Sequence, residues 1–568
     1  MGDSFVIAID FGTTYSGYAF NITKREEQSD PTLKKWGERH GLNTPKTPTC
    51  ILFNQKEEFL KFGYEAREAY LKMKGEEAKR HYFFQEFKMA LYGKKLHQDL
   101  KIKSANGQEM KALKVFSDSL RFLKDDALNT INSKAAGMKF NASDFTWVLT
   151  VPAIWDVSAK QFMREAATQA GIVTEETQDK LVIALEPEAA SVWCKKLPSD
   201  GFISENHSKN SLDQRPGIQY ILVDCGGGTI DITVHKILKG GALKELNKPS
   251  GNYLGGQNVD RKFKQFLREI FCEEVWEEYE RKYPRELQKI MYDFTILKQV
   301  DEDVQISCPF NLAMLAQKNN EMENYFDSVQ GASWKEGAIN ISRDKLRSFF
   351  YESLQGITEC LRDVFKKDLS IEYILLVGGY AESKILRQHI NDQFSEQCGI
   401  LCPFRPQEAI LRGAVEFGRN PKIVKSRKSG FTYGLAVLKR FDESKHMGKE
   451  KYRADGKEWC KNVFKKLVEE GEDLGWDETR EHVLDAVDPD QTEMSVRFFR
   501  TERKDPGYVD DWGVDEVGSL KVKLCDPKRS RERKVKVEIK FGSTEITATG
   551  TDLNTGEKNT IKLDFMTS

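Results

Sequence analysis

The stretch VIAIDFGTTYSGYAF, residues Val6–Phe20, decides how the rest of the chain is read. The apolar run Phe5–Ile9 has the character of a buried strand. It halts at Asp10, and Gly12, Thr13, Thr14 and Gly17 then supply a tight polar hairpin turn. Glycines let backbone approach a bulky anion, and successive N–H groups in such a turn form an anion-binding nest. The threonine hydroxyls add donors, and an acid closing the strand can hold a hydrated metal ion. Taken alone, Asp-Phe-Gly-Thr fits an ordinary strand-to-turn junction equally well.

The same device recurs in ILVDCGGGTIDITVHKI, Ile221–Ile237. An apolar strand ends at Asp224, Gly226, Gly227 and Gly228 precede Thr229, and a second strand carries Asp231. Two such hairpins, about two hundred residues apart, point to a duplicated fold gripping one phosphate chain from both sides. A Walker-type loop is excluded, because neither glycine run is followed by Lys-Ser or Lys-Thr. A third element, LLVGGYAESKIL (Leu375–Leu386), places a Gly-Gly turn between strand and helix, a geometry suited to nucleotide approach.

These motifs resemble, in order, the first phosphate loop, the second phosphate loop and the adenosine-side loop of the actin-like ATPase superfamily. Within it they are most similar to the seventy-kilodalton heat-shock chaperones. The resemblance covers residues 5 to about 420, and the remainder, including WCKNVFKKLVEEGED, looks like the atypical heat-shock protein twelve branch. It implies an α/β fold: an actin-like ATPase domain of two duplicated, ribonuclease-H-like lobes, then a smaller β-rich C-terminal domain. The expected boundaries are 1–421 for the nucleotide domain (lobes about 1–218 and 219–421), 422–430 for a linker and 431–568 for the sheet domain. The implied ligands are ATP or ADP with Mg2+.

The resemblance also distributes roles. Gly12, Thr13, Thr14, Tyr15, Gly226, Gly227 and Gly228 would hold phosphates, with Gly255 and Gly256 of SGNYLGGQNVD closing over the nucleotide. Gly378, Gly379, Tyr380 and Lys298 would meet adenosine, although one Lys on a charged helix is usually just solvated. Asp10 and Asp224 would hold the metal through its waters, and Thr229 and Asp231 would act near the γ-phosphate. Glu186, where the strand Leu181–Leu185 meets Pro187, would orient the attacking water; an acid there also suits a helix dipole. Lys88, in FFQEFKMALYG, would reach the γ-phosphate, whereas its local context alone reads as a snorkelling lysine.

Composition sets the outer bounds. The 568 residues carry 87 basic and 88 acidic side chains, a net charge of −1 that favours neither nucleic acid nor an anionic membrane. A hydrophobic fraction of 39% and a charged fraction of 31% describe a globular protein. No apolar stretch spans a bilayer, and Asp10 cuts short any signal-like run, so cytosol or nucleus is expected. The ten cysteines are scattered and read as free thiols; Cys398 and Cys402 lack the partners of a zinc site.

Along the chain, Cys50–Phe53 reads as a strand, 65–79, 113–135 and 158–170 as helices, and a further helix is expected from Arg261. KIVKSRKSG, 422–430, is basic and predicted to stay solvent-exposed, because burying its lysines and Arg427 in an apolar groove would cost their hydration. The competing prospect is an acidic groove that accepts it. Beyond it, 461–469 reads as a short helix and 432–438, 495–499, 520–524, 535–541, 545–549 and 561–565 as strands. Val535, Val537, Ile539 and Phe541 alternate with charged residues, as in a half-exposed antiparallel sheet. The basic cluster Lys528, Arg529, Arg531, Arg533, Lys534 fits a solvated hairpin better than a polyanion site, since Asp526 and Glu532 dilute it.

Departures from the chaperone pattern limit what carries over. Glu382 stands where an adenine-stacking Arg is usual, Gln407 and Asn258 replace acids around the pocket, and the leucine-rich linker is missing. No helical lid follows the strands, and the tail FMTS lacks the acidic co-chaperone motif. Two functions therefore compete: a slow Mg-dependent ATPase coupling nucleotide state to unfolded polypeptide or a specific protein partner bound at 431–568, and a nucleotide-sensing scaffold with little hydrolysis.

Overall fold

The computed structural model describes residues 5–23, 29–73, 76–93, 96–97, 99–134, 138–204, 211–454, 456–486, 491–524, 533–542, 544–554 and 558–559. Two sheets are built on the same plan. In the first, Phe5–Phe11 and Tyr15–Asn21 form an antiparallel hairpin, and Phe145–Val151 then Leu181–Leu185 add parallel to its first strand. In the second, Gln219–Cys225 and Ile230–Ile237 form the hairpin, and Ile371–Val377 then Gly399–Pro403 add in parallel. Strands buried on both faces read as unbroken apolar runs. FVIAI and YILV are such runs, and that is why the two hairpins were legible.

The chain has the mixed α/β architecture expected of an actin-like ATPase, followed by a β-rich C-terminal region. Each lobe has its own apolar core, and a third core gathers Val6 and Val148 of the first with Leu222 and Leu375 of the second. Through this third core run the helices Glu186–Cys194 and Ala409–Arg419. They cross so closely that a β-carbon on Gly413 would overlap the Ala189 carbonyl. The helix Glu186–Cys194 thus sits at the base of the cleft between the lobes.

The C-terminal region is two antiparallel sheets face to face. A five-stranded sheet contains Thr432–Arg440, Lys457–Val468, Glu493–Thr501 and Val514–Lys523; a smaller one contains Thr479–Asp485, Lys534–Lys540 and Thr547–Asp552. Val535, Val537 and Ile539 point inward, as their alternation predicts. The helix expected over 461–469 is instead part of the strand Lys457–Val468. Asn462 has φ +58°, and residues 461 and 462 together oppose one residue of Thr432–Arg440. Such a bulge breaks strand alternation. Cys460, Val463 and Phe464 are therefore all buried at a spacing that mimics a helix. The helix expected from Arg261 begins earlier, at Gly256. The strand expected over 561–565, and Lys528, Arg529 and Arg531, lie outside the described residues.

The segment 422–430 is docked rather than free in solvent, with only Lys422 and Lys425 exposed. Val424–Lys428 is a strand in the second lobe's sheet, parallel to Leu243–Asn252 and antiparallel to Asp473–Gly475 from the C-terminal region. Arg427 is buried, donating through Nε and Nη2 to the two carboxylate oxygens of Glu188 at 2.6 and 2.7 Å and through Nη1 to the Gly542 carbonyl at 2.7 Å. Its guanidinium lies over Trp476, 4.8 Å from the ring centroid. The groove is mixed: Val424 packs into the core between the lobes, while Glu188 and Asp473 meet the charges of Arg427 and Lys428. Lys422 remains at the surface with Asp477.

Candidate functional site

The two hairpins meet tip to tip across the cleft, around a cavity of about 450 Å3. Their glycines make the approach feasible. A β-carbon on Gly227 would overlap the Thr14 hydroxyl, and one on Gly228 would press into Thr13 and Met89. On the first hairpin, Thr49 Oγ1 donates to the Gly12 carbonyl at 2.7 Å and Thr49 N to the Thr14 carbonyl at 2.8 Å. On the second, the carbonyls of Gly226 and Gly227 accept from the amides of Gly256 and Gln257 at 3.0 and 2.8 Å. The second turn is thereby locked onto the start of the helix Gly256–Ile270.

Three carboxylates, Asp10, Glu186 and Asp224, line the floor, and a fourth, Asp231, lies behind it. Asp10 is 2% exposed and has both oxygens engaged: Thr150 Oγ1 donates to Oδ1 at 2.9 Å and Lys46 Nζ to Oδ2 at 2.5 Å. Glu186 accepts from Lys88 Nζ at 2.7 Å, and that ammonium, 1% exposed, sits 5.1 Å from the Trp155 ring centroid. Asp231 accepts from the backbone of Ile154 at 2.9 Å, with the Thr229 hydroxyl beside it. Among the described residues, Asp224 Oδ1 and Thr14 Oγ1 are buried with no hydrogen-bond partner. Burying unpaired polar atoms is costly, so the two of them that line the cavity mark a place for a polar ligand.

Protonation follows from crowding. Burial pushes the Glu186 carboxyl up; Lys88 opposes this, and the charges of Asp10 and Asp231 reinforce it. Asp224 is pushed well above the usual carboxylate range by burial, then by Glu186, Asp231 and Asp10. Burial alone would lower the Lys46 ammonium, but the charge and hydrogen bond of Asp10, with Asp224 and Glu186 nearby, outweigh it and leave it raised.

The opposite wall is built by the strand Ile371–Val377 and the turn after it. Gly378 has φ +86°, where a side chain would be strained and would strike Asp224. Gly379 faces open space, and Tyr380 packs on Phe350 and beneath Gly256. Lys298 donates to the Gly256 carbonyl and to Asp260, both at 2.7 Å. Glu382 and Gln407 also line this end; burial raises the Glu382 carboxyl, against a hydrogen bond from Gln407.

Of the residues expected from sequence, Gly255 and Asp231 do not line the cavity; Gly255 packs behind the second glycine turn and Asp231 lies behind the hairpin. The others, from Tyr15 and Thr229 to Lys298, do line it. Sequence reasoning missed Lys46, Thr150 and Trp155. Lys46 stands in the turn-rich TPKTP with no periodicity or motif to flag it. Among the described residues no three His, Cys, Asp or Glu side chains converge as direct metal ligands. Asp224, with an unpartnered oxygen, fits a hydrated metal ion better than Asp10, whose oxygens are both taken.

A family model described as Hsp70 protein matches residues 6–418, well over half of the chain. The chain belongs to the Hsp70 family. Relatives extend the match through the C-terminal region. Heat shock 70 kDa protein 12A of Homo sapiens is 34% identical, covering 99% of this chain and 91% of its own length. Heat shock 70 kDa protein 12B of Homo sapiens is 31% identical, covering 100% and 91%. The Chaperone protein DnaK of Thermosipho melanesiensis is 22% identical over 72% of this chain and 58% of its own. The resemblance to the twelve branch of the Hsp70 family therefore holds over the full length, including the part that departs from DnaK. No described helix is long and apolar enough to cross a membrane.

Proposed function

We propose that this Hsp70-family chain binds ATP or ADP in the cleft and hydrolyses ATP slowly with Mg2+, coupling nucleotide state to a polypeptide or protein partner held by 431–568. The observation that carries this reading is the apposition of two glycine hairpins around unpartnered oxygens of Thr14 and Asp224. Phosphoryl transfer needs positioning and charge neutralisation more than covalent chemistry from the protein. Gly12, Thr13, Thr14 and Gly226–Thr229 cradle phosphates. Asp224, with the unpartnered oxygen, would hold a hydrated magnesium ion, with Asp10 behind it, and the ion would supply positive charge to the phosphates. Glu186 orients the attacking water, and Lys88 both fixes Glu186 and brings positive charge toward the γ-phosphate. Gly378, Gly379 and Tyr380 form the nucleoside wall.

A second reading, a nucleotide-sensing scaffold with little turnover, draws on two observations. Lys46 occupies Asp10, and Arg427 is locked to Glu188 on the helix that also carries Glu186. ATP binding by calorimetry, with turnover measured on the whole chain with and without unfolded peptide, separates the readings. Turnover stimulated by peptide supports the first; tight binding with background turnover supports the second; absence of nucleotide binding overturns both.

A further inference from the structure

We infer that Lys46 is a built-in cation of the phosphate site, supplying positive charge that a metal ion would otherwise bring, so that nucleotide binding survives removal of divalent metal. This rests on the nucleotide reading of the cleft and concerns binding, not hydrolysis. Lys46 is only 8% exposed, at the cavity, with Nζ 2.5 Å from Asp10 Oδ2. Its position is built rather than incidental. Thr47–Pro48 pairs with Tyr15–Ser16, tying the segment onto the first hairpin. Gly17 makes the contact feasible, since a β-carbon there would collide with the Pro45 carbonyl and crowd Lys46.

Charge around the cavity explains what this ammonium does. Asp10, Asp224, Asp231 and Glu186 are all buried carboxylates, and Lys88 is committed to Glu186. Without Lys46, the first hairpin would present Asp10 to an incoming polyphosphate without a countercharge, alongside Asp224. Like charges in a poorly solvated site repel strongly, so binding would then wait on a metal ion. With Lys46 in place Asp10 is neutralised from within the fold. An ammonium on a flexible stem also has three donors, and can share them between carboxylate and phosphate.

The test is the ratio of ATP affinities of the full chain in magnesium buffer and in EDTA, read by displacement of a fluorescent ATP analogue. Wild type is expected to lose less than about tenfold on metal removal, and Lys46→Met more than about a hundredfold, with Lys46→Arg restoring tolerance. Should Lys46→Met fold poorly because it strands Asp10, Lys46→Gln keeps a hydrogen-bond donor for Asp10 without the charge. Lys46→Gln is then expected to lose metal tolerance as Lys46→Met does, and wild-type tolerance in it overturns the inference. Wild-type binding that collapses in EDTA as far as that of Lys46→Met overturns the inference alone. No ATP binding by wild type even with magnesium overturns the nucleotide reading and takes this inference with it.

Discussion

Glu186 carries the sharpest residue-level prediction. It is held by Lys88 at the start of a helix and sits among three other carboxylates. Glu186→Gln keeps the shape and the Lys88 contact, so ATP affinity should stay near wild type. Single-turnover hydrolysis should fall by about 10²-fold, the scale of a lost acid–base or orienting group. His235 gives a prediction in pH. It is fully buried in the strand Ile230–Ile237, with Nδ1 2.8 Å from the Ser191 hydroxyl and Nε2 unpartnered. Burial, then Lys195 and Arg427, push it down to about 3. Between the unfolded value of about 6.5 and this folded value, only the unfolded chain takes up the proton. Its contribution to stability is thus full above about pH 6.5 and shrinks as pH falls, by up to about 1.4 kcal/mol per unit. Burial raises Glu245 to about 8, so that group works in the opposite sense, weakening the fold as pH rises from the unfolded glutamate range. The difference in unfolding midpoint between wild type and His235→Gln, followed from pH 7 to 5, isolates the histidine: the variant should lose less.

Among the elements, the hairpin tips and the strand Val424–Lys428 behave differently under substitution. Gly227→Val drives a side chain into Thr14 across the cleft, so calorimetry should show ATP binding abolished; unchanged affinity would remove the two-sided grip. Arg427→Met leaves Glu188 charged, buried and unpaired. Breaking a buried pair from one side costs about 3–5 kcal/mol. The loss should appear in chemical denaturation, or as faster hydrogen exchange over 422–430, and should shrink when Glu188→Gln is added. The hairpins could be read from sequence because each is an uninterrupted apolar strand ended by Asp and glycines. The docked strand could not. Its partners Glu188, Glu245 and Asp473 are distant in the chain and follow no period, so local reasoning saw only the cost of burying charge. The same limit hid Lys46, whose meaning lies in Asp10 across the turn, and the bulge at Asn462, whose displaced pairing copied a helical spacing.

For the whole molecule, the duplicated lobes were evident from two copies of one motif, whereas the way the C-terminal region is fastened to them was not. Arg164 pairs with Glu545, and Thr544 Oγ1 donates to the Ile183 carbonyl, so the smaller sheet also grips the first lobe directly. The strand Asp473–Gly475 has a consequence for any shortened form of the protein. In the intact chain the outer side of Leu243–Asn252 is covered by Val424–Lys428, which is covered in turn by Asp473–Gly475. A chain ending at 421 would strip both away, and unpaired edges of that kind template association between copies. Light scattering should therefore show the 1–421 fragment self-associating under conditions where the full chain stays monodisperse. A fragment extended through 430 should be better behaved, because its new outer strand carries Lys425 and Lys428, and lysine is a common guard against edge-to-edge aggregation.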